Sequence, residues 1–317
     1  MESKTDNTAI NADTVIDAGL FKPSSEMSSR REHIVRIHHS AFYDGWIRLR
    51  KNKAAVGGCA VLVIITLLAV FGPFFTHFTY FDTDYTARLM PPGSAHILGT
   101  DIFGRDLWAR LWYGTRISLL IGFSAAFINL FIGVTYGSVS AVFGGNVDNV
   151  MQRIIELLVG IPSLVILILM MVVLTPGIWT IIIALSVTGW VNMARLVRAS
   201  ILRLKTQEFV LAARLLGTPT HKIILRHLVP NTISVIVIQT MFSIPAAIFS
   251  EAFLSFIGLG ITEPKASLGV LINVGYGALR TSPNLLIFPS IVIVLIMIGF
   301  CILGDGLRDA FDPRMRQ

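Results

Sequence analysis

Two groups of residues carry side chains that do chemistry when the right partners stand beside them. Asp82, Asp84, Asp101 and Asp106 share one segment with Arg105, and carboxylates near an arginine serve acid–base catalysis when a nucleophile or a metal-ligand pair completes the set. Neither accompanies them here. Gly99 and Gly104 punctuate the segment, so it reads as a folded loop held by turns and ion pairs, with Trp108 at its flank. The second group is Glu251, embedded with Gln239 and Pro245 in an apolar run. A carboxylate inside a membrane is a proton-relay candidate by default. Measured from Thr232 at about 1.5 Å per residue, Glu251 lies roughly 29 Å along its helix, close to the outer interface. A structural or gate-side role is therefore expected of it. Asn129 and Gln239, also deep in apolar runs, complete the candidate gate or path set with Glu251.

Elsewhere the chemistry is thin. The chain contains no HExxH, no GxSxG and no GxxxxGK[ST], so the metalloprotease, serine-hydrolase and phosphate-cradling motifs are missing. Cys59 and Cys301 lie in separate apolar runs without His or Cys at ligand spacing, which indicates neither a disulfide nor a metal site. No catalytic, cofactor or metal residue is expected.

The elements that must position these residues are membrane helices. With 54% hydrophobic and only 14% charged residues in 317, and a mean hydropathy of +0.71, the composition excludes a soluble domain. Six apolar spans, at 54–75, 117–142, 151–175, 178–198, 232–257 and 286–304, each approach the ~20 residues a bilayer core requires. Residues 1–36 are polar and read as a disordered tail. Residues 37–53 read as an interfacial helix, with Tyr43 and Trp46 at headgroup depth and Arg48, Arg50, Lys51 and Lys53 beside them. His38 and His39 are expected to be solvated. The first long apolar stretch begins near Ala54, so no secretory signal peptide is expected.

A net charge of +7 would suit nucleic acid, but its distribution fits membrane orientation better. With six spans, 20 of the 26 Lys and Arg fall on the side of the N-terminus. The positive-inside rule places both termini and the segment 199–231 in the cytoplasm. Lipid is thus an expected partner and nucleic acid is not.

Within the spans, Ser118, Ser124, Thr135, Ser138 and Ser140 and the Gly133/Gly137 pair favour close helix packing, with direct lining of a solute path as the alternative. Arg153 and Glu156, three apart, are expected to pair. Pro162 is placed to kink the third span. Charges collect at span ends and no inverted repeat is visible, which disfavours the other class considered, an ATP-independent secondary transporter.

One polar interruption, Thr206 to Asn231, is patterned too well for a plain connector. Thr206 is placed to cap a short helix opened by Glu208, and Phe209, Ala212, Ala213 and Leu216 share one apolar face. Gly217 ends that helix. Thr218 and Pro219 open a second, and Pro230 closes it. Ala212 and Ala213 expose little side chain, so the corner is a compact projection that another protein would grip closely.

Leu211-Ala212-Ala213, Gly217 and Pro230 resemble the EAA loop of ABC-importer permeases, with Leu211, His227 and Val229 where that pattern has Glu, Ile and Leu. LGTDIFGRD followed by RISLLIGF, the run from Glu251 to Gly260, and Gly304 to Arg314 resemble the C-type permease subunit of oligopeptide or dipeptide importers, with Cys301 where asparagine is common. The resemblance implies an all-α membrane protein of the type I importer fold, with 54–317 as a six-helix permease domain and 199–231 as its cytoplasmic coupling loop. It implies as partners a second homologous permease, two ATPases that bind ATP and Mg, and an extracytoplasmic peptide-binding protein. The residues that would meet the ATPase are Glu208, Ala212, Ala213, Arg214, Gly217, Thr218, His221 and Lys222. Related importers for dipeptides, nickel or glutathione remain open as alternatives.

Overall fold

The computed structural model describes residues 41–311; the expected tail, the histidine pair and residues 312–317 lie outside them. The described chain is built from α1 (Ala41–Lys51), α2 (Lys53–Phe71), α3 (Leu107–Phe143), α4 (Gly145–Gly160), α5 (Ser163–Val173), α6 (Ile178–Thr188) and α7 (Trp190–Leu204). After these come α8 (Glu208–Leu215), α9 (Thr220–Ile223), a π turn (Ile224–Leu228), α10 (Val229–Phe256), α11 (Leu268–Gly277) and α12 (Asn284–Phe311). Five helical runs are long and apolar enough to cross a membrane: Lys53–Phe75, Leu107–Phe143, Ile178–Leu204, Thr220–Phe256 and Asn284–Phe311. A sixth crossing exists only if α4 and α5 are taken together, because they meet at a bend of 80°.

Proline chemistry makes that bend. Pro162 has no N–H to continue the helix, and its ring drives Ile161 into an extended conformation (φ −103°, ψ 128°). The expected span 151–175 is therefore two helices, the first of which begins earlier, at Gly145.

α3 also begins ten residues before its expected start. The carboxylate of Asp106 accepts from the Ala109 N–H at 2.8 Å and caps the helix there. The early turns are polar, and part of that polarity is met by the neighbouring helix end: Trp108 donates to the Gly72 carbonyl (2.7 Å), and Arg116 donates to the carbonyls of Ala69 and Val70 at the end of α2. Hydropathy alone misses such turns because their polar heads are spent on a neighbouring helix end. At the other end of α2, Asn52 accepts from the N–H groups of Ala54 and Ala55, which separates the interfacial α1 from the span.

Small residues set the helix spacing. A Cβ on Gly137 would stand 2.4 Å from the Ala194 carbonyl oxygen, and one on Gly133 would stand 2.6 Å from Met193 Cβ, so α3 and α7 meet backbone to backbone. The Gly133/Gly137 pair is thus a packing device. Gly306 does the same for α12 against Ala55 of α2. Apolar clusters fill the rest: Leu111, Ile248, Leu271 and Ile296 join α3, α10, α11 and α12, and Ile121, Leu167, Ile181 and Leu254 join α3, α5, α6 and α10.

Candidate functional site

The helical corner at 206–231 is held by its own side chains. Val210 is fully buried and joins Ala141, Val197, Ile201, Ile223 and Leu228 in one apolar cluster, and Ala213, one turn further on, is 8% exposed. Beyond Ala213 the chain leaves the helix by a left-handed turn at Gly217 (φ +74°): Gly217 N–H donates to the Arg214 carbonyl (2.9 Å) and Thr218 N–H to the Ala213 carbonyl (3.0 Å). This Schellman arrangement needs a residue that tolerates positive φ, which glycine does without strain. Facing outward are Glu208, Phe209, Leu211, Ala212, Arg214, His221 and Lys222, with Leu215 and Leu216 the most exposed at 89% and 85%. Arg214, Thr218 and Thr220 border a cavity of about 320 Å³ against Val142 and Phe143 at the end of α3.

Four details differ from the sequence expectation. Thr206 is not the cap; its hydroxyl donates back to the Arg203 carbonyl (3.0 Å), and Gln207 holds the N-cap position. Pro219 rather than Thr218 precedes α9. Pro230 does not close the second helix. It sits in the first turn of α10, just after the π turn, whose wider winding carries Val229 N–H to the Ile224 carbonyl and makes room where a proline ring meets the carbonyl one turn back. Finally, Ala213 turns inward while Phe209 and Leu216 turn out. α8 is apolar on nearly every side, so its spacing does not select a face; the seat offered by Val197, Ile201 and Leu228 does.

The stem of this corner is clamped to the next helix pair. Arg198 of α7 donates through Nε and Nη2 to the two carboxylate oxygens of Asp148 in the first turn of α4, at 2.7 and 2.5 Å. The Ser140 hydroxyl donates to the same carboxylate, the Gln152 amide donates to Ser140, and Lys205 donates to the Ala141 carbonyl (3.0 Å). Neither Asp148 nor Arg198 stands out in the sequence as a pair, since fifty positions and two helices separate them.

A cavity of about 490 Å³ opens where α3, α6, α7 and α10 face the bend between α4 and α5. Asn129 and Gln239 both line it, together with Asn192, Ser243, Ser250 and Pro162. Asn129 is 6% exposed, and its Oδ1 has no hydrogen-bond partner among the described residues. At about 1.5 Å per residue Asn129 lies roughly 21 Å from the Phe143 end of α3, well inside the helix. Gln239, Ser243, Ala246 and Ser250 recur at helical spacing and so share one face of α10. That stripe was legible in the sequence, and of it only Gln239 was singled out.

Glu251 stands apart from this cavity. It is fully buried, and Ser118 and Ser255 donate to its two oxygens at 2.8 Å each, while Ser118 accepts from the Leu268 N–H (3.2 Å). It joins α3, α10 and the start of α11. Further out, Arg105 donates to Asp101 (2.7 Å) and Glu263 (2.8 Å), and buried Arg110 lies 3.5 Å from Asp101. Burial works against the Arg105 charge, but the hydrogen bond to Glu263 and the charge of Asp101 outweigh it and hold the guanidinium above its ordinary value. Gly104 (φ +75°) lets the loop close, since a Cβ there would meet the Asp84 carbonyl oxygen at 1.7 Å. The carboxylates around Arg105 are thus consumed in structure. Arg153 and Glu156 also pair, at 3.0 Å, on an exposed helix face.

A bundle of apolar helices that encloses a cavity with a polar lining and projects a short helical corner has the architecture of a solute permease. Residues 133–317 match the family described as the binding-protein-dependent transport system inner membrane component, and residues 40–92 match the N-terminal TM domain of oligopeptide transport permease C. The chain belongs to the first of these families, and works as a membrane component of a transporter complex. Among curated relatives it is 44% identical to the oligopeptide transport system permease protein OppC of Bacillus subtilis, over 95% of this chain and 99% of that protein. It is 45% identical to the dipeptide transport system permease protein DppC of the same organism, over 94% of this chain and 93% of that one. Among solved structures, a chain of the inward-facing MetNI methionine ABC transporter matches with a TM-score of 0.53 at 20% identity, covering 63% of this chain and 96% of its own length. The shared fold is that of type I importer permeases.

Proposed function

We propose that this chain is one permease half of an ATP-driven peptide importer, with both termini in the cytoplasm. It pairs with a second homologous permease to enclose the path, receives peptide from an extracytoplasmic binding protein, and couples to two cytoplasmic ATPases that bind ATP and Mg. The peptide substrate rests on the relatives, whose names divide between oligopeptides and dipeptides. The observation that carries the coupling role is the corner itself: a helix anchored by Val210 and Ala213 that leaves Leu215 and Leu216 bare to water. Leucines this exposed at the tip of a short helix are an unfilled contact, and a groove on an ATPase fills it. Glu208, Ala212, Arg214, His221 and Lys222 flank that contact, Gly217 sets its angle, and Thr218 stands where the corner meets α3.

The test is cross-linking in the assembled complex. A single cysteine in place of Leu216, in a chain whose own two cysteines are replaced, should form a disulfide with a cysteine scanned along the ATPase groove. Cross-links only to the other permease, and to no ATPase position, would overturn the coupling role.

A further inference from the structure

The cavity at the α4–α5 bend has a lining that reports what passes it. Among the described residues no Asp, Glu, Lys, Arg or His lines it; its polar groups are the amides of Asn129, Asn192 and Gln239 and the hydroxyls of Ser163, Thr188, Ser243 and Ser250. Neutral groups neither select nor repel a solute's side-chain charge, but they do hydrogen-bond. One of them is poised unequally. Asn129 is more than nine-tenths buried, its Oδ1 has no partner among the described residues, and it is crowded on the amide-nitrogen side by Gly189, where even a Cβ would come within 2.2 Å of Nδ2. Buried amide oxygens in native proteins are almost always paired, because leaving one unpaired forfeits its hydration without return. An unpaired acceptor on a cavity wall is the mark of a partner that comes and goes.

Deepening the peptide reading above, on which it rests, we propose that Asn129 is a substrate-contacting residue whose Oδ1 accepts a hydrogen bond from a main-chain N–H of the peptide in transit. The neighbouring amides and hydroxyls serve the same main chain, and side chains pass unread. A site built to pair a donor discriminates against an analogue that lacks it, because its own acceptor is then left buried and unmatched. The oxygen is covered in this conformation, so the contact with the peptide forms when the cavity wall around Asn129 opens.

The experiment uses the complete importer in proteoliposomes, with tetra-alanine and its backbone N-methylated analogue each supplied on saturating binding protein. Uptake is expressed as the ratio between the two peptides, which does not depend on how much complex assembles. The wild-type complex should favour the unmethylated peptide by about 5-fold or more. Asn129→Leu, which keeps the bulk and removes the acceptor, should bring that ratio close to one, and Asn129→Ala gives the same reading where the leucine variant does not assemble. An unchanged ratio in both variants overturns the inference while leaving the peptide importer standing. Failure of the wild-type complex to take up either peptide overturns the peptide reading, and this inference with it.

Discussion

Arg198 grips Asp148 through both carboxylate oxygens, at 2.7 and 2.5 Å, and in doing so fastens the stem of the 206–231 corner to the first turn of α4. α4 runs from that turn to the Pro162 bend on the cavity wall. The clamp thus ties the stem of the corner to a helix whose far end borders the cavity. Hydrogen bonds to charged partners contribute about 1.5–3 kcal/mol when part-buried. Arg198→Ala and Asp148→Ala should each lower thermal stability of the assembled complex and reduce uptake per ATP hydrolysed, while the double variant should be little worse than either. Additive losses in a double-mutant cycle would show that the pair does not act as a unit.

The inward turn of Ala213 separates two variants that the sequence treats alike. Ala213→Trp would force an indole into a buried position one turn from Val210, and overpacking of this kind typically costs about 1–3 kcal/mol. Leu216→Asp changes a side chain that is already in water, so its effect on folding should stay within about 0.5 kcal/mol. We expect Ala213→Trp to lower the melting temperature of the purified chain, and Leu216→Asp to leave it unchanged yet abolish co-purification of the ATPases. The reverse pattern would mean that the faces of α8 are assigned the wrong way round.

In the loop before α3, Asp101 lies against Arg105 and buried Arg110 at once. Asp101→Leu would strand two guanidinium groups with only half-exposed Glu263 between them, and removing one partner of a buried ion pair costs roughly 3–5 kcal/mol. Expression of this variant should fall and proteolysis of that loop should rise. Wild-type protease resistance would show that the cluster is dispensable.

Orientation is open to a direct check. Ser94, exposed on the outer loop, and Thr220, exposed at the start of α9, lie on opposite sides in the charge distribution. Single cysteines placed there in a background without Cys59 and Cys301 should label oppositely with a membrane-impermeant thiol reagent. Labelling of both from outside would remove the assigned topology.

Spans and family were readable because bilayer thickness writes itself into runs of apolar residues and because turn and packing motifs are local. The LGTDIFGRD segment declared a folded loop through its own glycines and charges, and Gly133 and Gly137 declared a close helix contact. What stayed hidden depends on partners distant in the chain. The early start of α3 rests on Arg116 reaching the end of α2, the face of α8 is chosen by α7 and α10, and the Asp148–Arg198 clamp pairs residues with no shared local pattern. For Glu251 the sequence displays the carboxylate, and so a structural or gate-side role, but not the two serines, Ser118 and Ser255 on two helices, that donate to it.

The account stands most directly on coupled uptake. Proteoliposomes holding this chain, its permease partner and both ATPases, with peptide-loaded binding protein outside and ATP inside, should accumulate labelled tetra-alanine against a gradient. The same vesicles with Leu216→Asp in this chain should retain peptide docking outside but neither accumulate peptide nor show ATP hydrolysis stimulated by the loaded binding protein. Full accumulation by the variant, at equal incorporation, would contradict the claim that this corner is where ATP hydrolysis meets the transport path.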